Sequence, residues 1–170
     1  YEEGGNMIND RIQKAFNEQI KHEFDSAYLY LSMSAWFASQ GWDGMAGWMR
    51  QQAKEEQEHA MKFFDHVLER GGRVELDALA KPKTEWSSPL NAFEEAYKHE
   101  QFITGKIHSL VKLSNETQDF ASTTMLNWFV DEQVEEEDNA SKIVQTLERI
   151  GTSGSGLIML DRKLGERGRK

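Results

Sequence analysis

Both prolines of the chain lie in one short stretch, and this placement constrains the fold more than any other feature of the sequence. Proline lacks a backbone N–H, and its ring clashes with the preceding turn of a helix, so it rarely occurs inside one. Pro82 and Pro89 therefore interrupt the chain at a single place, and long segments on either side can be helical. Apolar residues recur in these segments at three- and four-residue spacing, as in amphipathic helices. The sequence predicts an all-α protein.

Cap and stop residues divide this pattern into four long helices and a short fifth one. The expected N-caps are Asn9, Asp43, Ser88 and Asp119, and the expected ends are Ser39, Gly71-Gly72, the segment SNETQD near residue 115, and Ile150. Pro89 suits the first position of the third helix, where a missing N–H leaves no hydrogen bond unmade. The segment GTSGSG, residues 151–156, is expected to be a flexible hinge. Residues 157–170 would then form the short C-terminal helix and a tail.

The lengths of the connections predict how the helices are arranged. The first and third connections are short, so the helices that they join should be antiparallel neighbours. Residues 73–88 form a longer connection, and about 16 residues at roughly 3.3 Å each can span about 50 Å, the length of a ~30-residue helix. The second and third helices can therefore run parallel. We expect a four-helix bundle over residues 9–150, with one long crossover between helices two and three and an N-terminal tail over residues 1–8.

The composition narrows the classes of partner and compartment. The chain has 170 residues, enough for one domain with a substantial core. It has no cysteine, which excludes disulfides, thiolate catalysis and zinc–cysteine sites and fits a cytoplasmic protein. A formal charge of -9 argues against nucleic-acid and membrane partners and favours cations. The opening YEEGGNM has neither a basic nor an apolar region, so no secretion signal is expected, and Met7 is a candidate start.

Each long helix carries a stripe of apolar residues that an acid interrupts near its middle. The stripe of the fourth helix consists of Leu126, Phe129, Gln133, Glu136, Ala140, Ile143, Leu147 and Ile150. The stripes of the first three helices are Ile12, Phe16, Gln19, Glu23, Ala27 and Tyr30; Met45, Met49, Gln52, Glu56, His59, Phe63 and Val67; and Phe93, Tyr97, Glu100, Thr104, Ile107 and Val111. All four stripes therefore direct a carboxylate toward the interior of the bundle.

These carboxylates, Glu23, Glu56, Glu100 and Glu136, would repel one another in a shared core, because no lysine or arginine lies beside them in the stripes. Two divalent cations would balance their charge. His59 follows Glu56 by three residues, which puts both side chains on one helical face. One E-x-x-H in an acidic helix is also typical of a solvated face, but four interruptions at matching height predict a dinuclear metal site. Carboxylates with one imidazole suit iron or manganese better than copper or structural zinc.

These motifs resemble a known family, the non-haem ferritins of bacteria and archaea. The likeness extends from about Met7 to Gly165 and rests on the segments NEQIKHEFDSAYLYLSMSAWF, QAKEEQEHAMKFFDHVLERGGRV, YKHEQFITGKI and LNWFVDEQVEEED. The resemblance implies the ferritin-like fold and a homo-oligomeric cage of about 24 subunits. It also implies a ferroxidase that oxidises Fe(II) to Fe(III) with O2 or H2O2 and stores the ferric mineral inside the cage.

The resemblance assigns metal ligands residue by residue. One iron position falls to Glu23, Glu56 and His59, and a second to Glu56, Glu100 and Glu136, with Glu56 bridging and Gln133 nearby. A third position on the cavity side would use Glu55, Glu132, Glu135 and Glu136, whose alternative reading is a solvated acidic face. Tyr30 matches a tyrosine beside the centre that would donate an electron and limit the escape of radicals. From the residues alone, Tyr30 and Trp128 fit aromatic core packing equally well, and no function is assigned to the other four histidines.

Three differences separate the chain from other members of the wider group. Bacterioferritins carry a second E-x-x-H on the fourth helix, where this chain has Gln133 and Glu136. They also bind haem through a methionine at the position of Gln57, so no haem is expected. Rubrerythrins need cysteines that this chain lacks. Two other functions stay open: a ferritin-like shell with little oxidation of its own, and a di-metal oxidase or purely structural bundle.

Overall fold

The computed structural model describes residues 5–167 and contains five helices in that range. They are α1 (Asp10–Ser39), α2 (Asp43–Glu69), α3 (Pro89–Glu116), α4 (Phe120–Ile150) and α5 (Gly154–Leu164). Helix α1 packs against α2, α3 packs against α4, and α1 also contacts α3. The described residues contain no strand, and none of their helices is both long and apolar enough to cross a membrane. The predicted all-α bundle with a short fifth helix is confirmed.

The crossover between α2 and α3 runs along the outside of α1. Near the start of α1, the side chain of Asn17 donates to the carbonyl of Arg73 and accepts from the backbone N–H of Glu75. Farther along the same helix, Ser32 donates to the carbonyl of Lys83 at 2.6 Å. The chain therefore returns to the starting level of α2 before α3 begins, which makes α2 and α3 parallel, as the connection length predicted.

The ends of two long helices follow the local cap chemistry that the sequence predicted. The side chain of Asn9 accepts from the backbone N–H groups of Arg11 and Ile12 at the start of α1. Ser88 accepts from the N–H of Asn91, and Pro89 occupies the first turn of α3. These side chains satisfy N–H groups that have no partner within the helix.

Three other boundary predictions need correction. Trp42 occupies the N-cap of α2, and Asp43 is the first helical residue, where its negative charge favours the positive end of the helix. Asp119 does stand at the N-cap of α4, but its carboxylate accepts from Ser122 and pairs with Arg70 instead of binding a backbone N–H. Helix α5 begins at Gly154, so half of the predicted hinge 151–156 is helical.

The early start of α5 has a local cause. The Ser153 hydroxyl accepts from the N–H of Gly156 and so caps the helix despite its two glycines. The tails assigned to residues 1–8 and to the end of the chain lie partly outside the described residues, since positions 1–4 and 168–170 are not described.

The buried side chains form two apolar clusters with a polar layer between them. One cluster includes Phe37, Met49 and Phe93, and the other includes Phe16 and Phe129. The layer between them consists of buried polar groups at mid-length of the helices: Gln19, Glu23, Ser26, Gln52, Glu56, His59, Glu100, Gln133 and Glu136. The bundle thus carries ionisable groups in the part of its core that is farthest from either end.

The apolar stripe of α3 differs from the predicted one. Tyr97, Thr104 and Val111 are only half-buried, and the core positions are Ala96, Ile103 and Leu110. Phe93, Glu100 and Ile107 are buried as predicted. They are seven residues apart, so they belong both to the predicted stripe and to the observed one. Packing against the neighbouring helices selects one of these spacings, and the acid at mid-length is the same in both.

Candidate metal centre

The polar layer brings together the five residues predicted as ligands of two metal ions. Glu23 comes from α1, Glu56 and His59 from α2, Glu100 from α3 and Glu136 from α4, and each is at most 5% exposed. Their ligand atoms form one group from Glu23, Glu56 and His59 and another from Glu56, Glu100 and Glu136, with the atoms of each group within 4.8 Å of one another. Glu56 belongs to both groups, so the layer is arranged as two adjoining centres.

The first group contains two buried atoms without any hydrogen-bond partner. They are Nδ1 of His59 and Oε2 of Glu23, which lie 3.9 Å apart. The same nitrogen lies 3.3 Å from Oε2 of Glu56. A buried polar atom without a partner costs about 1–3 kcal/mol, and such atoms rarely occur without a compensating ligand. A cation bound between the imidazole and the two carboxylates would satisfy both atoms, so the donor set fits a metal ion.

Three glutamines hold the carboxylates by donating amide hydrogens to them. Gln19 donates to Glu23 at 3.0 Å, one turn farther along α1. Gln133 donates to the side chain of Glu100 at 3.1 Å and to its backbone carbonyl at 3.2 Å. Gln133, predicted to lie near the second metal position, therefore lies against a ligand of that position.

Gln52 donates to two different carboxylates of the layer. Its amide nitrogen donates to Glu56 at 3.0 Å and to Glu136 at 2.6 Å, and so joins the carboxylate shared by both groups to α4. Gln19 and Gln52 belong to the predicted stripes, but the sequence pattern indicated no role for either of them. The available signal was their spacing, since each glutamine precedes a buried glutamate of its own helix by four residues.

Burial raises the pKa of every carboxyl in the layer. Burial raises the pKa of Glu23 well above the ordinary value, and the charge of Glu56 raises it further. Burial likewise raises the pKa of Glu56 well above the ordinary value, and the charge of Glu100 adds to this shift. Burial and the neighbouring Glu100 raise the pKa of Glu136 to about 8. In the metal-free protein Glu136 is therefore mostly protonated at neutral pH, the shifts of the other carboxyls favour their protonated forms, and a metal ion would displace these protons.

Tyr30 lies in the core and also touches the centre. Its hydroxyl donates a hydrogen bond to Oε1 of Glu100, and its ring packs edge-on against His99. Burial, followed by the charge of Glu100, raises the pKa of the Tyr30 phenol well above its ordinary value. Core packing and contact with a predicted ligand are therefore both present at Tyr30, so the two readings of this residue are compatible.

Trp128 is not a core residue, because it is 40% exposed. Its ring and the imidazole of His59 are nearly perpendicular with centroids 5.4 Å apart, and the ammonium group of Lys62 lies 4.1 Å from the indole centroid. The indole thus covers the imidazole of the first ligand group from the outside.

Only part of the predicted third position forms a compact group. Ligand atoms of His59, Glu132 and Glu136 lie within 4.8 Å of one another, and Nε2 of His59 is 3.8 Å from Glu132. Glu135 is exposed, and Glu55 is paired with Arg167 at 2.7 Å. Burial raises the pKa of Glu132, and the charges of Glu135 and Glu55 raise it further, so the acids of this face act on one another.

The remaining histidines belong to no ligand group among the described residues. His66 contacts Ser122 at 3.0 Å and lies beside Arg70. His99 contacts Ser26 at 2.6 Å, and burial lowers its pKa to about 4. Hydrogen bonds to neighbouring helices account for the positions of these two side chains.

Known proteins with similar sequences agree with this arrangement. The family described as ferritin, with a ferritin-like domain, matches residues 13–150. A bacterial non-heme ferritin from Staphylococcus saprophyticus is 38% identical over 161 residues, which are 95% of this chain and 96% of that protein. A bacterial non-heme ferritin from Bacteroides fragilis is 39% identical over 95% of this chain and 100% of its own length.

The fold leads to the same family. An open pore ferritin from the hyperthermophilic archaeon Archaeoglobus fulgidus superposes with a TM-score of 0.94 at 49% identity, over 94% of this chain and 99% of that protein. The family match over residues 13–150 includes all but the first turn of the four long helices that supply the ligand groups. The chain therefore belongs to the ferritin family, as its helix motifs predicted.

Proposed function

We propose that this protein stores iron and that it oxidises Fe(II) to Fe(III) at the two adjoining ligand groups. The observation that carries the proposal is Glu56, which belongs to both groups and would bridge two ions inside a ferritin bundle. One ion would bind Glu23, Glu56 and His59, and the other would bind Glu56, Glu100 and Glu136. Iron is then a substrate of the centre as well as the material that the protein stores.

The donor set suits the oxidation of iron. Carboxylate oxygens are hard ligands that stabilise Fe(III) more than Fe(II), so binding favours the loss of an electron. Two neighbouring Fe(II) ions together supply the two electrons that reduce O2 with two protons to H2O2, or H2O2 with two protons to two waters. Delivering the electrons as a pair avoids the radicals that single-electron transfer produces. The protons that leave the buried carboxyls on metal binding are available for either reaction.

Tyr30 is proposed as a one-electron donor when the bound Fe(II) does not supply every electron that the oxidant needs. The phenol would lose one electron to the oxidant and pass its proton to Glu100 along the hydrogen bond that joins them. The buried position of the ring would keep the resulting radical away from solvent. Gln133, which donates to the same carboxylate, would hold Glu100 in place during this transfer.

A third iron position on the neighbouring acidic face is part of the proposal. Glu132 and Glu136, which lie in one group with His59, support it. Glu55 and Glu135 would complete it by turning toward the bound ion. Because Glu136 also belongs to the second position, an ion leaving that position could move to the third by exchanging one carboxylate at a time.

Storage of a mineral needs a container that a single bundle does not provide. We propose a homo-oligomeric cage of about 24 subunits, as in other ferritins, with Fe(II) and O2 or H2O2 as the small-molecule partners. The similarity to an open pore ferritin supports an assembly of this kind. Its native mass, from size-exclusion chromatography with light scattering, tests it, and a stable monomer or dimer would contradict the cage. A cytoplasmic location and the absence of haem stay predictions from the sequence.

The principal alternative is a shell that stores mineral with little ferroxidase activity. Mixing metal-free protein with Fe(II) in air and following ferric absorbance separates the two functions. A functional centre should give a rapid phase at about two Fe(II) per chain, and Glu56→Ala and His59→Ala should each remove it. If both variants kept the rapid phase, oxidation would not occur at this centre.

A further inference from the structure

A positively charged residue near the end of the chain reaches the acidic face beside the centre. Arg167 follows α5, and its guanidinium donates to Oε2 of Glu55 at 2.7 Å and to Oε1 of Gln52 at 2.8 Å. The same group lies over the ring of Trp48, 4.3 Å from its centroid. A guanidinium that combines an ion pair, a neutral hydrogen bond and an aromatic contact is held in a defined position.

The fifth helix fixes Arg167 in this position. Asp161 of α5 accepts the backbone N–H of Met45 at 2.8 Å, at the start of α2. Gly44 lets the two helices approach, since a Cβ at that position would lie 1.7 Å from the carbonyl oxygen of Asp161. With α5 docked on α2, the segment after it leads Arg167 along α2 toward the metal centre.

Arg167 is linked both to the first two metal positions and to the third. Gln52 accepts from Arg167 through its amide oxygen and donates through its amide nitrogen to Glu56 and Glu136. The arginine therefore sets which end of the Gln52 amide faces the carboxylates. Glu55, the other partner of Arg167, is one of the acids expected to bind a third iron, and in this structure it is paired with the guanidinium instead.

We propose that Arg167 is a built-in counter-cation that competes with a third metal ion for Glu55. Glu55 can bind the metal only after the C-terminal segment releases it. The inference rests on the proposed third iron position. The oxygen Oε2 of Glu55 accepts from the guanidinium, so it can bind a metal ion only if this pair opens, and repulsion between the metal ion and the guanidinium favours that opening. Arg167 would thus weaken the third position relative to the first two and favour the onward movement of iron.

The test is a titration of the full-length metal-free protein with Zn²⁺, which binds carboxylates and imidazole without changing its oxidation state. Isothermal titration gives the number of ions bound and the constant for each. The wild type should bind two ions tightly and a third more weakly. The variant Arg167→Gln should bind the third ion about three to ten times more tightly, the size expected for a half-buried, charge-assisted pair. Arg162→Gln, in the exposed part of α5, is the matched control and should match the wild type.

Two further variants separate a specific role from a general change of charge. Arg167→Lys keeps the positive charge and should bind the third ion nearly as weakly as the wild type. In the double variant Glu55→Gln with Arg167→Gln, the gain should disappear, because the arginine acts through Glu55. A gain that persisted without Glu55 would contradict the proposal, and so would a third constant that Arg167→Gln left unchanged.

The same titration distinguishes failure of this inference from failure of the proposed function. Wild-type protein that bound fewer than two ions would argue against the dinuclear centre itself. If two ions bound tightly and the binding constant of the third changed equally in Arg162→Gln and Arg167→Gln, the result would argue only against Arg167 as the competing cation.

Discussion

The amide of Gln52 donates to the carboxylate of Glu136 at 2.6 Å and so joins α2 to α4 at the level of the metal centre. The same nitrogen also donates to Glu56, the carboxylate shared by both ligand groups. A neutral side chain thus orients two of the four central acids, although it offers no charge to a metal.

Replacing Gln52 by leucine should therefore weaken metal binding without removing a ligand. Loss of groups that orient metal ligands typically costs ten- to a hundredfold in affinity, and we expect about tenfold for Zn²⁺ at the second position. The measurement is the Zn²⁺ titration of Gln52→Leu. Gln57→Leu, at an exposed position of the same helix, is the control and should bind as the wild type does. Equal affinities in the two variants would show that the Gln52 amide does not orient the ligands.

The buried carboxyls should contribute less to the stability of the metal-free protein as the pH rises. Glu136 has a pKa of about 8 in the folded chain against 4.5 for the free group, so the folded state binds more protons between these values. Its contribution to the free energy of unfolding is therefore complete below pH 4.5 and is lost as the pH rises to about 8. Glu23 and Glu56 act in the same direction.

Thermal unfolding in the presence of a chelator, at several pH values across this window, checks the prediction. Glu136→Gln should flatten the fall of the melting temperature, because an amide neither binds nor releases a proton in this range. Glu58→Gln, on the exposed face of α2, should leave the slope as it is. His99, whose pKa burial lowers from 6.5 to about 4, acts in the opposite direction below pH 6.5, so a melting temperature that rose with pH above 6.5 in the metal-free wild type would contradict the raised pKa values.

Glu23→Gln should stabilise the metal-free protein while it weakens metal binding. The oxygen Oε2 of Glu23 is buried without a partner, so an isosteric neutral group lowers the cost of burial, by about 1–3 kcal/mol at high pH. The first metal position loses a charged ligand at the same time. Thermal unfolding with a chelator and a Zn²⁺ titration measure the two effects. Glu18→Gln, which is exposed on α1, should change neither, and a less stable Glu23→Gln would refute the assignment.

Tyr30→Phe should separate the redox role of this residue from its packing role. The ring would still fill its place in the core, whereas the hydrogen bond to Glu100 would be lost. We expect the initial rate of Fe(II) oxidation to change by less than about threefold and the yield of spin-trapped radicals to rise. Tyr28→Phe, at a half-exposed position on α1, is the control. Equal radical yields in the two variants would remove Tyr30 from the electron-transfer steps.

The burial of the candidate metal ligands could be predicted because helical periodicity is a local property. In α1, α2 and α4, the predicted stripes place Glu23, Glu56, His59 and Glu136 in the core, where the structure has them. In α3 the prediction was wrong at Tyr97 and correct at Glu100. Sequence spacing restricts a helix to a few registers, and packing chooses among them.

The sequence by itself determined the helices, their caps at Asn9 and Ser88, the parallel arrangement of α2 and α3, and the acids at mid-length. Each of these depends on residues a few positions apart or on the reach of a connecting segment. Only the tertiary structure decided that Gln52 bridges to Glu136, 84 residues away, and that Arg167 pairs with Glu55, 112 residues away. Such contacts depend on how separate elements dock, and no periodicity encodes which cation or amide will meet a given carboxylate.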